Sequence, residues 1–94
     1  MIWAIWCKDS GRAAAIRSQF GKDHSTYLTA SPLPILMAGP LTGDDGEGSA
    51  GSLILVEADS RGAVEAFVSG DPFAVHGVWE SFEVQAFRMS RKNL

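Results

Sequence analysis

Residues Met1–Ser10, MIWAIWCKDS, run through seven apolar positions before the first charge at Lys8. Aromatic and β-branched residues dominate the run, so it reads as a strand that stops at Lys8-Asp9. Successive strand side chains point to opposite faces. Trp3, Ile5 and Cys7 therefore share one side and Ile2, Ala4 and Trp6 the other, and both sets are apolar. A sheet with one wet face alternates apolar with polar. This strand does not alternate, so something must cover it on both sides.

The neighbouring segments supply one of the two covers. Ser10 is a candidate N-cap for a helix over Arg12–Phe20, where Ala13, Ala14 and Ala15 favour helix and Ile16 and Phe20 fall four apart on one face. Gly21 is expected to interrupt it, with a second helical piece over Asp23–Ala30 carrying His24. Ser31-Pro32-Leu33-Pro34 is a stiff, extended connector. Ile35–Leu41 reads as a second strand, and Gly39-Pro40 near its end suits a sheet edge. A polar, glycine-rich loop from Thr42 leads into a third strand, Ser52–Ala58 (SLILVEA), again apolar on both faces. Asp59 or Ser60 caps a helix over Arg61–Ser69 with Ala63, Val64, Phe67 and Val68 as its apolar stripe. Val78–Arg88 is the fourth strand. The order β-α-β-β-α-β is ferredoxin-like: an α+β chain with two helices on one face of a four-stranded antiparallel sheet. No third helix is predicted for the opposite face. A second copy of the sheet would cover it, so the expected assembly is a homodimer packed through the sheet faces.

Bulk properties narrow the function classes. At 94 residues, 46% hydrophobic and 20% charged, the chain has the profile of one soluble domain. A net charge of -3, with the one basic cluster at Arg88, Arg91 and Lys92, argues against nucleic-acid binding. Cys7 is the single cysteine, so no intrachain disulfide forms, and its apolar setting reads as a buried thiol. The N-terminal run lacks a basic flank and is too short for a signal peptide or membrane span. A cytoplasmic protein without membrane contact is expected.

Few motifs carry chemistry. Gly46–Gly51, GEGSAG, fits the spacing of a dinucleotide loop, but a strand follows instead of a helix, and Asp44, Asp45 and Glu47 would repel phosphate. The same acids lack calcium-loop spacing. His24 and His76 lack the partners that a transition metal wants, and no serine sits in a nucleophile elbow, so no metal or cofactor is expected. Ser69–Glu80, SGDPFAVHGVWE, is richer. Asp71 before Pro72 reads first as an N-cap with proline at N1. A partnership with an imidazole is the alternative, and His76 and His24 are both available.

Taken together, several segments resemble the YciI-like (YCII-related) family of small bacterial proteins in the dimeric α+β barrel superfamily. The segments are the short first strand, His24-Ser25-Thr26-Tyr27-Leu28, Ala38-Gly39-Pro40-Leu41, the acidic glycine loop, Gly51–Ser60, Asp71-Pro72-Phe73, and the closing Gly77-Val78-Trp79-Glu80 with Phe82-Glu83-Val84. The resemblance spans nearly the whole chain. It implies a ferredoxin-like subunit, a dimer through the sheets, and a cleft holding a His–Asp pair. By motif position the pair is His24 and Asp71, while His76 matches no functional position. The chain departs from many relatives at Gly21-Lys22-Asp23, where an arginine-proline pair is common, and at Ser31–Pro34, where Gly-Arg often opens the strand.

An imidazole with an ordinary pKa of about 6.5 both takes and gives a proton near neutrality. A carboxylate on its other nitrogen fixes the tautomer. With no strong nucleophile or metal, the expected chemistry is proton transfer, an isomerisation or elimination beside a carbonyl. By analogy with superfamily relatives, the substrate would be a lactone or ring-cleavage-like small molecule. His24 would be the acid–base and Asp71 its orienting partner, with Gly39, Pro40 and Phe73 lining the pocket. The alternative is a non-catalytic dimeric module that binds a small metabolite or partner protein in the same cleft. Haem or quinone oxygenation would need a ligand or group that these residues do not identify.

Overall fold

The two-faced first strand lies inside the sheet rather than at its border. A computed structural model describes all residues from Met1 to Leu94. The elements are β1 (Ile2–Asp9), α1 (Ala13–Thr29), β2 (Ile35–Leu41), β3 (Gly51–Glu57), α2 (Arg61–Ser69), α3 (Pro72–Val75) and β4 (Trp79–Phe87). They form one sheet in the order β2-β3-β1-β4, with every pair antiparallel. This is the ferredoxin-like α+β fold, the subunit architecture of dimeric α+β barrels. β2 and β4 are the edges, and Gly39-Pro40 falls on β2 as its lack of an amide donor suggests.

Register decides which side chains meet. Ile5 stands opposite Ile54 on β3 and Val84 on β4, and Trp3 opposite Val56. These residues and Cys7 are buried beneath Ala13 and Ile16 of α1, Val64, Phe67 and Val68 of α2, and Phe73 of α3. Each fully buried aliphatic side chain here is worth about 1.5–3 kcal/mol against exposure.

The helical layer differs from expectation in two places. α1 runs unbroken through Gly21. A mid-helix glycine costs only about 1 kcal/mol, less than is gained where Ile16, Phe20, Tyr27 and Leu28 pack on the core from one continuous helix. Ser10 is not the N-cap. Arg12 holds that position without a side-chain bond, while Ser10 Oγ donates to the Gly77 carbonyl at 2.7 Å and accepts from the Arg12 amide at 3.3 Å. It fastens the β1–α1 turn to the loop before β4. The helix start read at Asp71-Pro72 is α3, a helical turn of 4 residues. α3 packs beside α1, so it thickens the same layer and leaves the other face bare. On α2 the choice of cap resolves to Ser60, whose Oγ accepts from the Ala63 amide at 3.2 Å.

The uncovered face is uneven. Ile2, Ala4 and Trp6 of β1, Leu53 and Leu55 of β3, and Met37 and Leu41 of β2 share it by register. β4 presents Ser81, Glu83 and Gln85 there, with the exposed Phe87 at its end opposite Ile2. Trp6 is 55% exposed on this face.

Two glycines test the packing. A Cβ on Gly21 would meet no atom within 4 Å, whereas one on Gly51 would overlap the Cys7 carbonyl oxygen. Gly21→Ala is therefore expected to raise stability by about 1 kcal/mol, or roughly 4–8 °C in Tm for a domain of this size. Gly51→Ala is expected to lower it. Thermal unfolding followed by circular dichroism reads both, and a Gly21→Ala protein that melts early would contradict the open space at that turn.

Candidate active site

α1 carries Arg17 and His24 seven positions apart, close to two helical turns, so the two side chains leave the same face. Opposite them β2 supplies Ala38, Gly39 and Pro40, and β3 supplies Ser52 and Ile54. Together with Phe73 and Leu28 these residues line a cavity of about 310 Å³.

Behind the cavity wall stands Asp71, whose side chain is fully buried. Its backbone is extended and caps α3: Oδ1 accepts the Phe73 amide at 2.9 Å, with Pro72 at the first helical position. The same carboxylate receives His24 Nδ1, at 2.8 Å from each oxygen. Both readings of Asp71 therefore hold at once. The sharing differs from a simple division of labour, because Oδ1 takes the amide and part of the imidazole bond as well.

That contact sets the tautomer. A carboxylate only accepts, so Nδ1 carries the hydrogen and the neutral ring keeps its lone pair on Nε2. Nε2 makes no hydrogen bond within the chain, yet no buried side-chain nitrogen or oxygen lacks a partner, so Nε2 reaches solvent. The His24 side chain is 18% exposed. Phe73 stacks on the imidazole at 4.0 Å between centroids and 8° between planes, and Trp79 meets it edge-on at 6.0 Å. Ring plane and ring nitrogen are thus both held.

Each residue expected at the site is accounted for. His24, Gly39, Pro40 and Phe73 line the cavity, and Asp71 supports it from behind. Phe73 is also a core residue. His76 is exposed and stacks on Phe20 at 3.7 Å, away from the lining. The unforeseen member is Arg17. Its Nε and Nη2 grip Asp9 at 3.0 and 2.8 Å, and Nη2 also donates to the Gly51 carbonyl and to Ser52 Oγ. Trp79 donates its indole N–H to that same Ser52 oxygen at 3.2 Å. The signal for Arg17 was its seven-residue spacing from His24, which a helix broken at Gly21 would not preserve. No group of three or more His, Cys, Asp or Glu residues stands close enough to hold a metal ion, and no helix is long and apolar enough to cross a membrane.

Asp71 is felt beyond its hydrogen bonds. Burial, and then the negative charge of Asp71, pushes the Cys7 thiol from its ordinary 9.0 up to about 12. The same two causes raise Tyr27, whose hydroxyl donates to the Phe67 carbonyl at 2.7 Å.

Fold and site together define a class: small ferredoxin-like chains with a carboxylate–imidazole pair beside an open cavity. The chain belongs to the YCII-related domain family, whose pattern matches residues 1–88. Protein YciI of Escherichia coli O6:H1 (strain CFT073) is 33% identical, over 94% of this chain and 97% of its own length. Protein YciI of Shigella flexneri matches to the same extent. Among solved structures, 5-chloro-2-hydroxyhydroquinone dehydrochlorinase (TftG) from Burkholderia phenoliruptrix AC1100, in complex with 2,5-dihydroxybenzoquinone, superposes with a TM-score of 0.82. It is 30% identical, and the match covers 94% of each chain.

The raised Cys7 pKa predicts an alkaline loss of stability. Above pH 9 the unfolded chain releases the cysteine proton while the folded chain keeps it until about 12, so stability falls as pH rises through that window. Between pH 8 and 10.5 the loss from this group is about 2 kcal/mol. Urea unfolding at the two pH values reads it, and Cys7→Ala should flatten the dependence; an equally steep fall in that variant would assign it elsewhere.

Proposed function

We propose that this chain is a small-molecule lyase or isomerase that moves a proton at a carbon beside a carbonyl. His24 is the acid–base and Asp71 the residue that orients it. The observation that carries this reading is the division of the imidazole: Nδ1 is tied to both oxygens of a buried carboxylate while Nε2 stays open beside the cavity. Nε2 takes the proton from carbon, and the electron pair of the C–H bond moves onto the carbonyl oxygen as an enolate. Asp71 steadies the imidazolium so formed. In an elimination the enolate collapses and expels a leaving group. In an isomerisation Nε2 returns the proton to a different atom.

The dehydrochlorinase likeness supports the elimination branch, since loss of hydrogen and chloride is a lyase-type step. Substrates on this reading are oxygenated rings, lactones or ring-cleavage products of similar size. Gly39, exposed on β2, lets a ligand approach the main chain closely, and Pro40 and Phe73 give apolar walls. No cofactor is needed for such a step. The competing reading is a non-catalytic dimeric module that holds a metabolite or partner protein here; it is favoured by the lack of a second acid–base side chain beside His24 in the lining, where the other ionic group is the arginine Arg17.

The bare sheet face fits the homodimer. Trp6 and Met37, with the half-buried Leu53 between them, form an apolar surface of the kind that soluble monomers avoid, and a second sheet packed on it would bury the indole of Trp6. The polar outer side of β4 would then lie toward the rim.

A substrate panel separates enzyme from module: 5-chloro-2-hydroxyhydroquinone, acidic lactones and halogenated ring-cleavage products. His24→Ala is expected to lower kcat by about 10²–10⁴. Asp71→Asn retains an oxygen for the Phe73 amide, so its loss of kcat reports on the imidazole. Binding without turnover across the panel favours the module. Light scattering at micromolar concentration is expected to give twice the chain mass, and Trp6→Glu to halve it; a wild-type mass of one chain removes the dimer.

A further inference from the structure

One cavity side chain has a polar group without a task. Arg17 spends Nε and Nη2 on Asp9, Gly51 and Ser52, but Nη1 makes no hydrogen bond within the chain. No buried side-chain nitrogen lacks a partner, so Nη1 is open, and Arg17 lines the same cavity as His24. The arginine is held as firmly as the histidine. Asp9, whose side chain is 6% exposed, grips it in bidentate fashion, and the Arg17 side chain itself is 18% exposed. Its guanidinium carbon lies 5.0 Å from the centroid of Phe73, the ring on which His24 stacks at 4.0 Å. Base and donor therefore share one aromatic support and one cavity.

We propose that Arg17 binds substrate, donating Nη1–H to an ionised ring oxygen while another edge of the ring meets His24. The ligand class this selects is a small planar ring bearing an enolate or phenolate oxygen. A fixed guanidinium needs no reorganisation to receive such an oxygen, and a charge-assisted bond is about twice as strong as a neutral one. Asp9 then does more than balance charge: by occupying the other edge of the fork it turns Nη1 outward. On the proton-transfer reading above, on which this last step rests, the same donor would take up the charge that moves onto oxygen when Nε2 removes a proton. Binding itself does not require that reading.

The test uses 2,5-dihydroxybenzoquinone, ionised at neutral pH, and its uncharged dimethyl ether as probes, titrated against the full chain. Arg17→Lys keeps a cation beside Asp9 but loses the fork. The double variant Arg17→Gln/Asp9→Asn removes both charges together, so that neither is left buried alone. In either variant that keeps the wild-type circular dichroism spectrum, Kd for the ionised probe is expected to rise about tenfold or more. Binding of the ether should change by less than twofold. An unchanged Kd for the ionised probe, an equal loss for both probes, or no saturable binding of the ionised probe to wild type at millimolar concentration would each overturn the proposal. Arg17-dependent binding by a protein in which His24→Ala leaves turnover unaffected would support the arginine's role while removing the proton-transfer reading.

Discussion

A carboxylate sealed from water organises this molecule. Removing an ion such as the Asp71 side chain from solvent costs several kcal/mol unless hydrogen bonds replace the lost hydration. Here the replacement comes from the first turn of α3 and from a histidine 47 residues earlier. The pairing therefore fastens α3 to α1 at the same time as it aims the imidazole. The aim of the ring and the packing of the helices cannot be separated at this point. His24 is a group that keeps a buried carboxylate satisfied, so the same hydrogen bonds that answer the acid hold the ring in place. The reach of that anion extends to Cys7 and Tyr27, both of which it makes harder to ionise.

A second ion pair, of Asp9 with Arg17, repeats the device one step along the cavity. Both acids stand where a strand or helix begins or ends, and both hold a side chain of α1. The helix thus meets the sheet through two carboxylate grips with Phe73 between the groups they hold. The resulting wall is stiff and polar on the helix side. Across the cavity, Ala38, Gly39 and Pro40 offer small side chains on an edge strand, which leaves the space open.

How much of this was legible depended on the range of each signal. The strands announced themselves by β-branched and aromatic density, and the doubled apolar faces of β1 and β3 pointed to a cover on each side of the sheet. Asp71-Pro72 is a local signature, and its cap formed as such signatures predict. Gly21 misled: propensity favoured a break, but packing of Phe20, Tyr27 and Leu28 overrode it. That one misreading also hid Arg17, because its alignment with His24 exists only along an unbroken helix. Ser10 was drawn away from the cap by the Gly77 carbonyl, a contact 67 residues distant that no local pattern encodes. The meeting of His24 with Asp71 is just as remote. It was anticipated through family likeness, since neither residue's neighbours reveal it.

The strand order has a consequence for how the chain is made. β1 leaves the ribosome before its partners, residues 51–57 and 79–87, so Ile2 must wait for Phe87. At roughly 5–20 residues per second, translation leaves the greasiest segment of the protein unpaired for several seconds. Until β4 emerges to complete the sheet, α1, which packs over that strand in the folded chain, is the first element available to cover it.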